Sequence, residues 1–425
     1  MRLAQTARVE GLPGQDALSR YLRPSSAAPL AVAYSGGGDS LALLLSVQAW
    51  AQDHGRQVVA LHVDHQLQAA SAAWARHCAE VADRLGVPFH LLSWTEAKPN
   101  TGLPAAARQA RHRLLAQAAR SLGARVLLLG HTADDVEETR LMRTDGASVP
   151  EPRAWGPSPA WPQGRDLFIL RPLLGERRAA LRAYLSDQPF TWIDDPANEN
   201  LAYARIRART ALADGGIGDL PAPRQADIRA LAAAARIHPL GVVEWPRGRL
   251  ATQPDAVTLR ALSIASLCAS GAVRPPRTAA LARLLARLRT PETFTATLAG
   301  ARIETDAQRV MILREAGEAG RGGLAEQALV AGAAQVWDGR FEITTARRDL
   351  RVRALAGLAS RLEPSARKGL AALPASLRPT LPVVIEAEGR VACPVLAPMD
   401  GVEIRNLVAS RLEAAAGMIE AEPVA

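Results

Sequence analysis

The chain has 425 residues, enough for two or three separately cored domains, with 48% apolar and 22% charged content, a formal charge of +9 and a pI near 10.3. Its longest strongly apolar stretch, Leu41 to Trp50, is too short to span a bilayer, and the opening MRLAQTARVEGLPGQD lacks the apolar run of a secretory signal, so a cytoplasmic protein without membrane contact is expected. Cys78, Cys268 and Cys393 are too scattered for a disulfide framework or a C-x-x-C metal clamp, while the excess of arginine favours a polyanionic partner.

After an N-terminal extension over 1–24, short apolar runs alternate with helical stretches, as in a parallel α/β sheet with helices on both faces. Strands are expected at Leu30–Tyr34, Gln57–Asp64, Val87–Ser93, Arg125–Gly130 and Leu167–Leu170. Helices are expected at about Leu41–Asp53, Ala72–Leu85, Ala105–Leu122, Ala133–Arg143 and Glu176–Leu185. Thr144 to Gly164, rich in Pro, Gly and Ser, reads as a loop or flap. This domain is placed at 25–215. A helical region follows over 216–290, with segments Ala226–Ile237, Val257–Ala269 and Thr278–Leu288, and then a smaller mixed α+β region over 291–425. Neither of these carries a recognisable chemical motif, so both read as recognition modules.

Ser35-Gly36-Gly37-Gly38-Asp39-Ser40 lies between a buried strand and a helix. Consecutive glycines let backbone N–H groups approach an anion, and the helix N-terminus adds unpaired donors. Ser35 and Ser40 can donate hydroxyl hydrogen bonds, and Asp39 can hold Mg²⁺ beside phosphates. The bland alternative is a tight turn capped by Asp39 or Ser40. A Walker A loop is excluded, because the only lysines, Lys98 and Lys368, do not precede Ser or Thr.

His62 and Asp64 end the second strand, at the sheet edge where ligands of open α/β folds bind. After the fourth strand, His131 is followed by Asp134, Asp135, Glu137 and Glu138. Asp135 and Glu138 share a helical face, and so many acids together invite a cation or amine, though simple helix capping also suits them. Arg108 and Arg111 stand three apart and suit phosphate oxygens, or else form a solvated basic face.

The glycine segment resembles the loop of the PP-loop ATP pyrophosphatases, which implies adenylation of a substrate with release of pyrophosphate. With Val63-Asp64-His65-Gln66-Leu67, Ala107-Arg108-Gln109-Ala110-Arg111 and the His131–Thr139 segment in this order, the chain looks like a tRNA(Ile)-lysidine synthetase. Arg171-Pro172-Leu173-Leu174, Trp192–Asn198 and Arg205-Ile206-Arg207 extend the likeness, which covers roughly 28–210. His112 stands where the family usually has Tyr, and the Pro-rich Thr144–Gly164 replaces a glycine-rich stretch.

The resemblance implies ATP-dependent attachment of free L-lysine to C2 of the wobble cytidine of tRNA(Ile) with a CAU anticodon, through an adenylated cytidine. ATP would be bound by Ser35, Gly36, Gly37, Gly38, Asp39, Ser40, His62, Asp64 and His131. Mg²⁺ would sit on Asp39 and Asp135, and lysine on Asp135 and Glu138, with Asp39, Asp135 and Glu138 the catalytic acids. Arg108, Arg111, Arg205 and Arg207 would meet phosphates of ATP or tRNA. Two alternatives stay open: another PP-loop tRNA enzyme, such as a thiolase, for which a cysteine cluster is wanting, and a tRNA-binding protein with a decayed site.

Overall fold

The computed structural model describes residues 11–144, 152–194 and 223–424. The chain divides into two compact units, Met1–Asp219 joined by the returning tail Ile419–Ala425, and Leu220–Met418.

The first unit is built on a six-stranded sheet. Its strands are β1 (Leu30–Ala33), β2 (Val58–Asp64), β3 (Phe89–Ser93), β4 (Val126–Leu128), β5 (Trp155–Pro157) and β6 (Phe168–Leu170), in the order β3-β2-β1-β4-β6-β5. All neighbours are parallel except β5 with β6. The strands read as continuous apolar runs because both faces are covered. Leu30, Val32, Val58, Ala60, Val126 and Leu128 enter one core, while Ala31, Val59, Leu61, Leu127 and Leu129 enter another.

The first core is closed by helices α2 (Gly38–Asp53), α3 (Ser71–Arg84) and α6 (Arg178–Ser186), and the second by α4 (Leu103–Ser121). Helices α1 (Gln15–Tyr21) and α5 (Ala133–Thr144) complete the unit. Because β1 pairs with both β2 and β4, the strand order reverses there. The loops after β1 and β4 therefore flank the crevice where such folds bind ligands.

The Thr144–Gly164 stretch, expected to be a loop, contributes β5 as an antiparallel edge strand. Trp155 explains this. Its ring stacks between Tyr21 and Phe168, with centroids 5.7 and 5.0 Å away, and its indole N–H donates to the Ile419 carbonyl at 2.9 Å. Pro157 is tolerated because the strand is at the edge.

In the second unit a five-stranded antiparallel sheet shares one core with helices Gln225–Ala233, Asp255–Ser270, Thr278–Leu288 and Val408–Ala415. The boundary expected at 290–291 thus runs through a single core, since Leu281, Leu284 and Leu288 pack with Phe294, Ile303 and Ile312. The helix expected over Ala226–Ile237 stops at Ala233, because Arg236 and Ile237 pair with Glu244 and Val243 as a short strand. Four- and three-stranded sheets complete the unit. All three cysteines are free and buried, and no helix among the described residues is long and apolar enough to cross a membrane.

Candidate active site

Three helix N-termini converge on the β1–β4 crevice, those of α2, α5 and α6. The loop into α2 is held from within. The Ser40 hydroxyl donates to the Gly37 carbonyl at 2.8 Å and accepts from the Ser35 backbone N–H at 3.2 Å, so it staples the turn. The Ser35 hydroxyl lies 3.1 Å from it. Gly36 has φ +89°, and a Cβ there would sit 2.5 Å from Ile193 Cδ1 and 2.8 Å from Cys78 Sγ, so only glycine fits. Among the described residues no side-chain cap hydrogen bond closes the start of α2, whose N-cap is Gly37, so its first N–H groups can meet an anion. A Cβ on Gly130, after β4, would stand 3.0 Å from the Asp39 carbonyl, so the two loops nearly touch.

Asp135 caps the start of α5: its Oδ2 accepts from the Thr132 backbone N–H at 2.7 Å and from the Thr132 hydroxyl at 3.0 Å, the carboxylate half of a capping box. The capping expected as the bland alternative is therefore present, but it uses only one carboxylate oxygen. The other oxygen accepts from Arg178, the first residue of α6.

Arg178 joins all three expected catalytic acids. Its Nη2 donates to Asp135 Oδ1 at 2.6 Å, its Nη1 to Glu138 Oε1 at 2.8 Å, and its Nε to Asp39 Oδ2 at 3.3 Å. Its backbone N–H donates to Asp134 at 2.9 Å. Burial opposes the charge on Arg178, but its hydrogen bond to Glu138 and the charges of Asp135, Glu138 and Asp39 outweigh it and raise its pKa. Burial also lifts the Asp39 carboxyl above its ordinary range; Arg178 pulls it back, and nearby Asp135 pushes it up.

One helical turn on, Arg182 Nε would lie 3.1 Å from a Cβ on Gly38, and its guanidinium pairs with Asp194 at 3.0 Å. Sequence reasoning missed both arginines of α6. A signal existed, because Arg177 and Arg178 open a helix whose N-terminus disfavours cations, so acids had to be waiting there.

A second cluster is basic. Arg108 and Arg111 of α4 approach Arg171, which follows β6, around His112 and His131. Arg171 Nε donates to His131 Nδ1 at 3.1 Å, so that ring is neutral with its proton on Nε2. Burial first, and then Arg171, Arg111 and Arg108, push His131 down to about 3. His112 is likewise pushed down to about 3, by burial and then by Arg111, Arg108 and Arg171. Burial, with Arg108, lowers Arg111 to about 10, and burial, with Arg108 and Arg111, lowers Arg171 to about 10. Among the described residues the buried Arg111 Nε and His112 Nδ1 find no hydrogen-bond partner. Such uncompensated charge suits a phosphate.

His62 and Asp64 are tied elsewhere. His62 is buried with Nδ1 2.9 Å from the Tyr34 carbonyl, and burial lowers its pKa despite that bond; Asp64 accepts from the Gln66 backbone N–H at 2.8 Å. Arg205 and Arg207 lie outside the described residues. Among the described residues no three His, Cys, Asp or Glu side chains gather into a group that could hold a metal. Asp39 offers a single carboxylate beside the loop, which suits a hard ion shared with phosphate oxygens rather than a protein cage. Asp135 has both oxygens engaged, so it reaches such an ion only after Arg178 moves.

A PP-loop domain model matches residues 13–215. Over 414 residues the chain is 50% identical to a tRNA(Ile)-lysidine synthase from Caulobacter vibrioides, covering 96% of this chain and 98% of that protein. It is 35% identical to the enzyme of that name from Hyphomonas neptunium over 68% of this chain and 82% of that one, and 34% identical to that from Rhizobium meliloti over 73% and 72%. Among solved structures, a tRNA thiolase from Methanococcus maripaludis matches at TM-score 0.34 and 12% identity over 49% of this chain and 80% of that one, too weakly to carry an argument.

Proposed function

The chain belongs to the tRNA(Ile)-lysidine synthase family, and from that premise we propose that it joins free L-lysine to the wobble cytidine of tRNA(Ile) with a CAU anticodon. The observation that carries the site assignment is that one guanidinium spans the loop acid Asp39 and the α5 acids Asp135 and Glu138. A polyphosphate cradle and a cation-binding cluster are thereby adjacent, as a reaction between ATP and an amine requires.

In the first step the cytidine C2 oxygen attacks the α-phosphate of ATP, and pyrophosphate leaves from the loop. The free N–H groups of α2, the Ser35 hydroxyl and Arg182 stand where charge grows, and preorganised donors of this kind are worth roughly 2.7–4 kcal/mol each. Asp39 would hold Mg²⁺ together with phosphate oxygens, and the ion would neutralise the departing pyrophosphate. Arg108, Arg111 and Arg171 would receive a further phosphate, from the nucleotide or the tRNA. His131 assists by holding Arg171 with its neutral ring.

In the second step the lysine ε-amine attacks C2 and AMP leaves. Asp135 and Glu138 would bind the ammonium and take its proton, since freeing the amine at pH 7 costs about 4.6 kcal/mol. Arg205 and Arg207 would line the approach of the unstacked base.

The test is incorporation of radiolabelled lysine into an unmodified CAU-anticodon transcript with ATP and Mg²⁺. Incorporation is expected for the wild type and is lost in Asp39→Ala, while Glu138→Gln raises the lysine KM. Tight tRNA binding without incorporation would instead favour a protein with a decayed site.

A further inference from the structure

We infer that Arg178 is a movable counter-ion through which nucleotide binding opens the lysine site. The inference rests on the reading that Asp135 and Glu138 receive the lysine amine.

Each of the three terminal donors of Arg178 meets a different carboxylate, at 2.6, 2.8 and 3.3 Å. It therefore fills the place that an incoming ammonium would take. A purely structural clamp between α5 and α6 is already supplied next door, where Arg177 holds Glu137 through two bonds of 2.7 Å. The backbone of Arg178 is fixed by Asp134, but its side chain is 38% exposed, so the guanidinium can turn without moving the helix. Its longest contact is the one to Asp39, on the phosphate loop.

A free lysine must displace a competitor tethered at the site, whose effective concentration is on the order of millimolar. A triphosphate on the α2 N-terminus changes that balance. It brings several negative charges beside Arg178 and Arg182, and phosphate is a strong multidentate acceptor for guanidinium. Once Arg178 turns to the phosphates, Asp135 Oδ1 and Glu138 Oε1 lose their partner and an ammonium can replace it. Nucleotide and lysine then favour each other's binding, by the same factor in both directions.

The experiment is calorimetric titration of L-lysine into the full-length protein, with and without α,β-methylene-ATP and Mg²⁺. In the wild type the analogue is expected to tighten lysine binding by about tenfold, within the usual range of coupling between sites. In Arg178→Gln the two affinities should converge, with lysine binding the nucleotide-free protein more tightly than it binds wild type. Arg178→Lys, which keeps the charge on a single point donor, should retain part of the coupling and covers the case in which the glutamine variant does not fold. Coupling unchanged in both variants, or wild-type lysine binding indifferent to the analogue, overturns the role of Arg178 and leaves the lysine site standing. No lysine binding by wild type in either state removes the lysine reading itself.

Discussion

In the second unit the guanidinium of Arg247 donates to the carbonyls of Leu288, Thr290, Glu292 and Asp306, closing the end of the Thr278–Leu288 helix. Arg314 and Arg340 share the carboxylate of Asp338, and Arg340 also reaches the Thr380 carbonyl. In the first unit Arg108, Arg111 and Arg171 crowd one another around neutral histidines, with no carboxylate among the described residues hydrogen-bonded to Arg111 or Arg171. Arginines anchored on carboxylates and carbonyls hold the architecture together, even where one donor, Arg340 Nη1, finds no partner among the described residues. Arginines left against one another, or on the acids that we propose receive the lysine amine, are the ones we assign to ligands.

Removing Asp338 would test the first half of that comparison most severely. Asp338→Ala strands two buried cations, and a loss of about 3–5 kcal/mol is expected in chemical denaturation. A loss below 1 kcal/mol would mean that pairing is not what these arginines provide.

The first unit contains one pair that should behave in the same way. Arg56 and Glu422 are joined by bonds of 2.7 and 2.8 Å with both side chains 1% exposed, and Glu422 also accepts from the Arg23 backbone N–H. Glu422→Ala should cost about 3 kcal/mol, because the Arg23 and Ala28 carbonyls still accept from Arg56. The same truncation releases the tail that returns to this unit, so limited proteolysis near the C-terminus should accelerate with it.

Titration probes the unpaired cluster. His112 and His131 are held neutral down to about 3, whereas an unfolded histidine protonates near 6.5. Above about pH 6.5 both states are neutral and the full stability is present. Below it the unfolded chain takes up protons first, and stability should fall by about 1.4 kcal/mol per pH unit for each ring until pH nears 3. Denaturation midpoints measured between pH 7.5 and 5 check this, with His112→Asn expected to flatten part of the slope. A flat wild-type profile would show that the rings are not held neutral.

The smallest expected effect has the opposite sign. Arg111→Gln removes a charge that no carboxylate among the described residues pairs with and should stabilise the ligand-free protein by on the order of 1 kcal/mol. If a tRNA phosphate fills the site, the log–log salt dependence of tRNA binding should become shallower by about one unit. Loss of stability in this variant would place Arg111 with the structural arginines of the second unit.

Much of the first unit was legible because its signals are local. The run Val58-Val59-Ala60-Leu61 reads as a strand covered on both faces, and Ser35–Ser40 reads as an anion loop from residue types alone. Asp39, Asp135 and Glu138 were likewise singled out from a loop and from helical spacing, and the structure brings them to one guanidinium. What escaped was long-range. Arg178 meets Asp39 across 139 positions, Trp155 reaches Ile419 across 264, and Arg56 meets Glu422 across 366. No periodicity links such partners.

The sequence by itself determined an anion loop and an acidic helix start, because both act through backbone geometry and short spacing, and the likeness of these segments to the PP-loop family implied the class of chemistry. It determined the basic character and the parallel α/β core for the same reason. Only the tertiary structure decided how each charge is used: that Ser40 staples the loop from inside, that Asp135 caps its own helix with one oxygen, and that Arg178 occupies the remaining acids. Those outcomes depend on which helix ends the strand order brings together at the β1–β4 crevice, and that order is a property of the packed sheet rather than of any segment within it.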